Sequence, residues 1–127
     1  MPDKVVDASV LAAFAFAESR ADEPRDLMAD ANLFAPEILP YELASVALKK
    51  SRRLPSLRFD TAMRLQTALT LDVELIHIAA RDLLSAALQT GLTIYDAAYL
   101  QTARLLDCPL VTFDAKLARQ ARNFTQA

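Results

Sequence analysis

Apolar residues fall along the chain in two rhythms. Short runs rich in β-branched residues recur at wide intervals: Lys4 to Asp7, Leu33-Phe34-Ala35, Val73-Glu74-Leu75-Ile76-His77 and Pro109-Leu110-Val111-Thr112-Phe113. Each is short, bounded by turn-forming or charged residues, and reads as a strand. Between them apolar residues return every three or four positions, the period of an α-helix. That spacing predicts helices over Ala8 to Ala17, Glu23 to Ala31, Arg58 to Leu71, Arg81 to Thr90 and Thr93 to Leu106. It predicts another from near Glu37 or Pro40 to about Arg52, and a last one from Asp114 toward Arg122. Pro40 suits a first helical turn, Gly91 stands where a helix C-terminus wants glycine, and Lys49, Lys50, Arg52 and Arg53 gather where the dipole favours cations. Leu39, Leu43, Val46 and Ala47 form one apolar stripe, and Phe59, Ala62, Met63, Leu65 and Leu69 are spaced for another buried face.

Strands alternating with helices imply an α/β fold with a mainly parallel sheet covered on both faces. In such sheets the functional crevice lies beyond the carboxyl ends of the strands. The 127 residues suit a single domain spanning 1–127, and 54% apolar content with one glycine favours compact, regular structure. The longest uncharged stretch, Leu83 to Ala103, is interrupted by Gln89, Thr90, Gly91 and Asp96, and no basic leader precedes an apolar core at the start. The expectation is a cytoplasmic protein without a membrane partner. Cys108 stands alone in an apolar segment before Pro109 and reads as an inert, buried thiol.

Charge changes the picture at four places. Asp7 is the only charge between Val5 and Ala17, Glu42 the only one between Ile38 and Leu48, Asp96 the only one between Leu83 and Ala103, and Asp114 the only one between Cys108 and Ala115. An ionised carboxylate in apolar surroundings costs several kcal/mol unless it is paired or holds a metal. Asp7 and Asp114 sit at the carboxyl ends of expected strands, and Asp96 opens a helix that returns to the same rim. Four such acids on one edge are what a divalent cation requires. The formal charge of −2 does not argue against a nucleic-acid partner, because without these four acids the remaining surface is net positive.

Each acid also fits a purely structural role. Asp7 or Ser9 caps the helix that follows, Asp114 caps the last one, and Thr93 with Asp96 spells a capping box. Glu42 fits an exposed glutamate at the border of its helix's stripe. All four falling in uncharged runs at the sheet edge weighs toward a common site.

The four acidic segments are Val5-Val6-Asp7-Ala8-Ser9-Val10-Leu11, Pro40-Tyr41-Glu42-Leu43-Ala44, Thr93-Ile94-Tyr95-Asp96-Ala97-Ala98-Tyr99-Leu100 and Leu110-Val111-Thr112-Phe113-Asp114. In order, spacing and coverage they resemble the motifs of PIN-domain ribonucleases, most of all the toxin subunits of VapBC toxin–antitoxin pairs. The resemblance implies a three-layer α/β/α sandwich with a central, mainly parallel sheet, magnesium or manganese at the acidic cluster, and endonucleolytic cleavage of RNA. It also implies a homodimer and a small antitoxin protein that blocks the site. By the same resemblance Asp7, Glu42, Asp96 and Asp114 form the site, with Ser9 and Thr112 just inside it. Lys116 departs from the pattern, since many members carry an acid or amide there, and this bears on a second metal position.

The expected division of labour gives Asp7 and Asp96 to the metal as principal ligands, joined by Asp114 directly or through water. Glu42 orients or deprotonates the attacking water, and Ser9 and Thr112 bind a carboxylate, a water or the phosphate. Lys49 and Arg53 recur on Glu42's side of its helix, about 10 and 16 Å along the axis at 1.5 Å per residue, and are candidates for contacting RNA; Arg119 and Arg122 are weaker ones. His77 reads as a packed or edge residue, and Tyr41, Tyr95 and Tyr99 as packing. Leu11 to Phe16 and Leu54 to Leu69 are candidate interface stretches. Two rival classes stand beside this reading: a non-catalytic α/β binding or regulatory module whose acids only cap helices, and a structure-specific DNA nuclease using the same metal site.

Overall fold

The computed structural model describes residues 1–16 and 22–126. Its strands are β1 (Asp3–Val6), β2 (Asn32–Pro36), β3 (Val73–Ile76) and β4 (Leu110–Val111), joined through helices α1 (Ala8–Ala15), α2 (Asp22–Met28), α3 (Leu39–Arg53), α4 (Arg58–Ala68), α5 (Ala80–Thr90), α6 (Ile94–Leu106) and α7 (Ala115–Gln126). A short 3₁₀ turn, Pro55–Leu57, links α3 to α4. The sheet runs β3-β2-β1-β4 with every neighbouring pair parallel, so Val5 of β1 lies between Phe34 and Leu110. Parallel strands need crossovers, and helices supply them.

Helix α6 lies on β1, β2 and β4 with α5 and α7 at its sides, while α1 gathers α2, α3 and α4 into a second layer. The three-layer expectation is met. Val5 and Val6 are fully buried because β1 is an inner strand covered on both faces, which explains its uninterrupted apolar run. The core continues through Val10, Leu11, Leu39, Leu43, Leu100 and Leu117. Of the Leu11 to Phe16 stretch, Leu11 to Ala13 and Phe16 are buried in this core, while Phe14 and Ala15 are half-buried.

Several expected boundaries shift. Helix α2 stops at Met28 rather than Ala31, because Asp30 takes a left-handed conformation (φ 55°) that cannot continue a helix. The Ala17 end expected for α1 lies outside the described residues. Strand β4 is two residues long, and Thr112, Phe113 and Asp114 form the loop after it. The clearest correction concerns α4, which ends at Ala68 and buries Thr61 and Ala68, with Leu65 half-buried. The expected stripe of Phe59, Ala62, Met63 and Leu69 faces outward, with Phe59 77% exposed. The narrow line of small residues lets α4 sit close to α1, and the larger side chains then have nothing to pack against.

Candidate functional site

Strand β1 ends in a fully buried valine pair, and the next residue, Asp7, begins α1 from an extended conformation (φ −82°, ψ 155°). Its backbone carbonyl accepts the amides of Val10 and Leu11, so the main chain makes the turn into the helix. The side chain does not cap, contrary to one expectation. It is 7% exposed, and its Oδ2 accepts the Ser9 hydroxyl at 2.9 Å and the Thr112 hydroxyl at 2.5 Å. Each hydroxyl in turn accepts a backbone N–H from the loop after β4: Phe113 donates to Ser9 Oγ at 3.1 Å and Asp114 to Thr112 Oγ1 at 3.0 Å. Two loop amides are thereby relayed onto one carboxylate oxygen. The loop is also held by the sheet, since the Asp7 amide donates to the Val111 carbonyl at 3.0 Å.

Glu42 comes from the first turn of α3, where Pro40 leaves no amide to satisfy. It is half-buried, and Tyr99 donates its hydroxyl to Oε1 at 2.7 Å. Tyr99 lies three residues beyond Asp96, one helical turn deeper in the core, and is fully buried. Burial and the neighbouring Glu42 charge push its phenol well above the ordinary tyrosine range, so it stays protonated and remains a donor. Tyr99 was expected only to pack, and no neighbouring residue signals its donor role, because Glu42 lies 57 positions away.

Asp96 stands in the first turn of α6, where the Thr93 hydroxyl accepts its amide at 3.1 Å, so half of the expected capping box is present. Asp114 caps α7 outright: Oδ1 accepts the Leu117 amide at 3.0 Å. The capping reading is therefore right for Asp114's Oδ1, yet the four acids also share one electrostatic neighbourhood. Burial raises the pKa of Glu42 first, with the charges of Asp7 and Asp96 adding to it. Burial likewise raises that of Asp96, reinforced by Asp7 and Asp114, while Lys116 pulls it down. The position where the sequence departs from the expected pattern thus sets a cation against the acids.

Carboxylate oxygens crowded at a strand edge form the donor set that hard divalent cations prefer. Among the described residues no three Asp, Glu, His or Cys side chains converge on one point. An ion seated here would take one or two carboxylates directly and reach the others through its bound water.

With this geometry the comparisons with known proteins can be read. A family model described as "PIN domain" matches residues 4–123. The chain belongs to the PIN-domain family. Ribonuclease VapC3 of Pyrobaculum aerophilum is 33% identical over 122 residues, covering 91% of this chain and 92% of that protein. Three crystal structures share the PIN fold: PAE2754 of Pyrobaculum aerophilum (TM-score 0.72, 24% identity, 94% of this chain and 86% of that one); VapC20 of Mycobacterium tuberculosis, described as a sarcin-ricin loop cleaving toxin (0.68, 16%, 92% and 94%); and VapBC2 of Rickettsia felis, bound to a promoter DNA fragment (0.63, 18%, 92% and 92%).

Other expected residues have plain positions in this PIN domain. Lys49 and Arg53 are exposed along α3. His77 lies just past β3 and is an edge residue, its Nδ1 2.6 Å from Glu37 Oε1. Tyr41 and Tyr95 do not pack as expected; they are 72% and 57% exposed. Cys108 is half-buried rather than buried as expected; that burial raises its thiol's pKa, in keeping with an inert group. No helix among the described residues is long and apolar enough to cross a membrane.

Proposed function

We propose that this PIN-domain chain is a metal-dependent endoribonuclease of the VapC toxin type, with Asp7, Glu42, Asp96 and Asp114 as its catalytic acids. The observation that carries the reading is Asp7: a nearly buried carboxylate, freed from capping, oriented by Ser9 and Thr112, and close enough to Glu42 and Asp96 to raise their pKa values. A carboxylate held this way, with no cationic partner among the described residues, is a ligand in waiting.

Asp7, Asp96 and Asp114 would hold Mg²⁺ or Mn²⁺. Bound there, such an ion supplies a nucleophilic water near neutral pH and neutralises charge on the scissile phosphate. The protein's own contribution is positional. Ser9 and Thr112 both bond Oδ2 of Asp7, which fixes the carboxylate plane and directs Oδ1 away from them. Tyr99 anchors Oε1 of Glu42, and the raised pKa suits this carboxyl to receive a proton from the attacking water. Lys116 balances the acids beside Asp96, and Lys49 and Arg53 on exposed α3 lead a phosphate backbone toward the site.

By likeness to Ribonuclease VapC3 the substrate is RNA; a cognate small antitoxin and a second copy of the chain are the partners that the resemblance of the four acidic segments implies. The outward stripe of Phe59, Met63 and Leu69 on α4 is apolar surface for such a protein partner to cover. Incubation of the purified protein with matched RNA and DNA oligonucleotides in Mg²⁺ and in Mn²⁺ tests the function. RNA cleavage by the wild type and none by Asp96→Asn, with circular dichroism showing both folded, is the expected result. Equal cleavage by both, or cleavage of DNA alone, refutes it.

A further inference from the structure

A cavity of about 440 Å³ is walled by Ile38 just before α3, Tyr41 from α3, Ile94 and Tyr95 from α6, Ile76 from β3, and Glu37. We propose that this cavity receives a base of the substrate RNA, guanine above the others, stacked on Tyr41 and Tyr95. The inference rests on the ribonuclease reading and names the determinant of where that activity cuts.

Its place comes from helix geometry. Tyr41 directly precedes Glu42 and Tyr95 directly precedes Asp96, and successive helical residues are about 100° apart around the axis. The cavity and the acids therefore share α3 and α6, with each ring turned about 100° from its neighbouring acid; none of the four acids lines the cavity itself. The two rings are largely exposed, although aromatic surface is costly to leave in water and Tyr99 on the same helix is fully buried. Its volume falls within the range of small-molecule sites. Single-stranded RNA presents bases out of the stack, and proteins take them up on aromatic faces.

Glu37 gives the cavity its preference. Glu37 lines the cavity, and its Oε1 is engaged by His77 Nδ1 at 2.6 Å. A carboxylate only accepts hydrogen bonds. Guanine offers two adjacent N–H donors on its Watson–Crick edge, whereas adenine and cytosine set an acceptor beside their amine and uracil offers a single donor.

Cleavage-site sequencing on a random-sequence RNA library, with KM and kcat measured on the preferred pentanucleotide, tests this for wild type, Tyr41→Ala, Tyr95→Ala, Tyr95→Phe and Glu37→Gln. Losing one stacked base costs about 5- to 150-fold in binding. The expected result is KM raised by that factor in the alanine variants with kcat little changed, KM retained in Tyr95→Phe, and guanine preference lost in Glu37→Gln. Unchanged cut sites and KM in all four variants overturn the pocket while leaving the ribonuclease reading intact.

Should the wild type cut no RNA, a second measurement decides the cavity separately. The chain contains no tryptophan, so the emission of a pentaribonucleotide carrying thienoguanosine, a fluorescent guanosine analogue that keeps both Watson–Crick N–H donors, is seen with little protein background. Without added metal, quenching by the wild type that disappears in Tyr95→Ala upholds the base site, and absence of quenching removes it.

Discussion

Replacing Tyr99 with phenylalanine deletes one oxygen and leaves the ring in its fully buried place on α6. The atom lost is the donor to Glu42 Oε1 at 2.7 Å. A hydrogen bond to a charged group contributes about 1.5–3 kcal/mol net, so Tyr99→Phe should cost about that much where Glu42 is ionised. For a chain of this length each kcal/mol moves the midpoint by about 3–5 °C, giving a fall of about 5–15 °C at neutral pH. Below Glu42's ordinary value of 4.5 the carboxyl is neutral, and the same bond is worth only about 0.5–1.5 kcal/mol. The gap between wild type and variant should therefore narrow on acidification, as thermal melts by circular dichroism across a pH series would show. The phenol also holds Glu42's pKa down against burial and the neighbouring acids, so the acid limb of the RNA cleavage profile should move to higher pH in the variant. A neutral-pH shift below about 2 °C, or a gap that widens as pH falls, would refute an ionised Glu42 held by Tyr99.

The metal-free protein should lose stability as pH rises. Glu42 and Asp96 have folded pKa values above their ordinary 4.5 and 3.8, so the native state holds more protons than the unfolded chain in that interval. Their contribution is complete below those ordinary values and disappears as pH passes the raised ones; urea titrations showing a rising slope there would contradict it. Mn²⁺ at a hundred times its Kd should stabilise the wild type by about 2.7 kcal/mol and leave Asp96→Asn unmoved, read as the melting midpoint with and without metal. Asp114→Ala should cost about 1 kcal/mol through loss of the α7 cap, and Asp114→Asn should restore it; RNA cleavage should fall in both, separating capping from the role of the charge.

How far the sequence could be read follows from the kind of interaction involved. The β1 run, the Gly91 helix end (φ 75°) and the Thr93 cap were legible because each depends on residues a few positions apart. The acids were legible as a group because charge inside apolar runs is conspicuous. Other features depended on distant partners. Phe59 and Met63 have the spacing of a core stripe, but whether a stripe is buried is decided by the element opposite, and here Thr61 and Ala68 took the inner face. Asp7 looked like a cap until Thr112, from the far end of the chain, claimed its oxygen. Tyr99 looked like filler because its donor role exists only once α3 brings Glu42 to it. Tyr41 and Tyr95 carry the same lesson reversed, since helical positions beside the acids gave no sign that their rings would stay exposed.

The bond between Thr112 and Asp7 joins residues 105 apart in sequence. During synthesis Asp7, the proposed metal ligand, leaves the ribosome long before the hydroxyl that orients it, and β4, which pairs with β1, is made later than β1. A partly made chain can fold the β1 to α1 corner yet lack the brace on its carboxylate. For a VapC-type ribonuclease that order of assembly is a built-in delay: translation must pass Thr112 before the Asp7 carboxylate is braced.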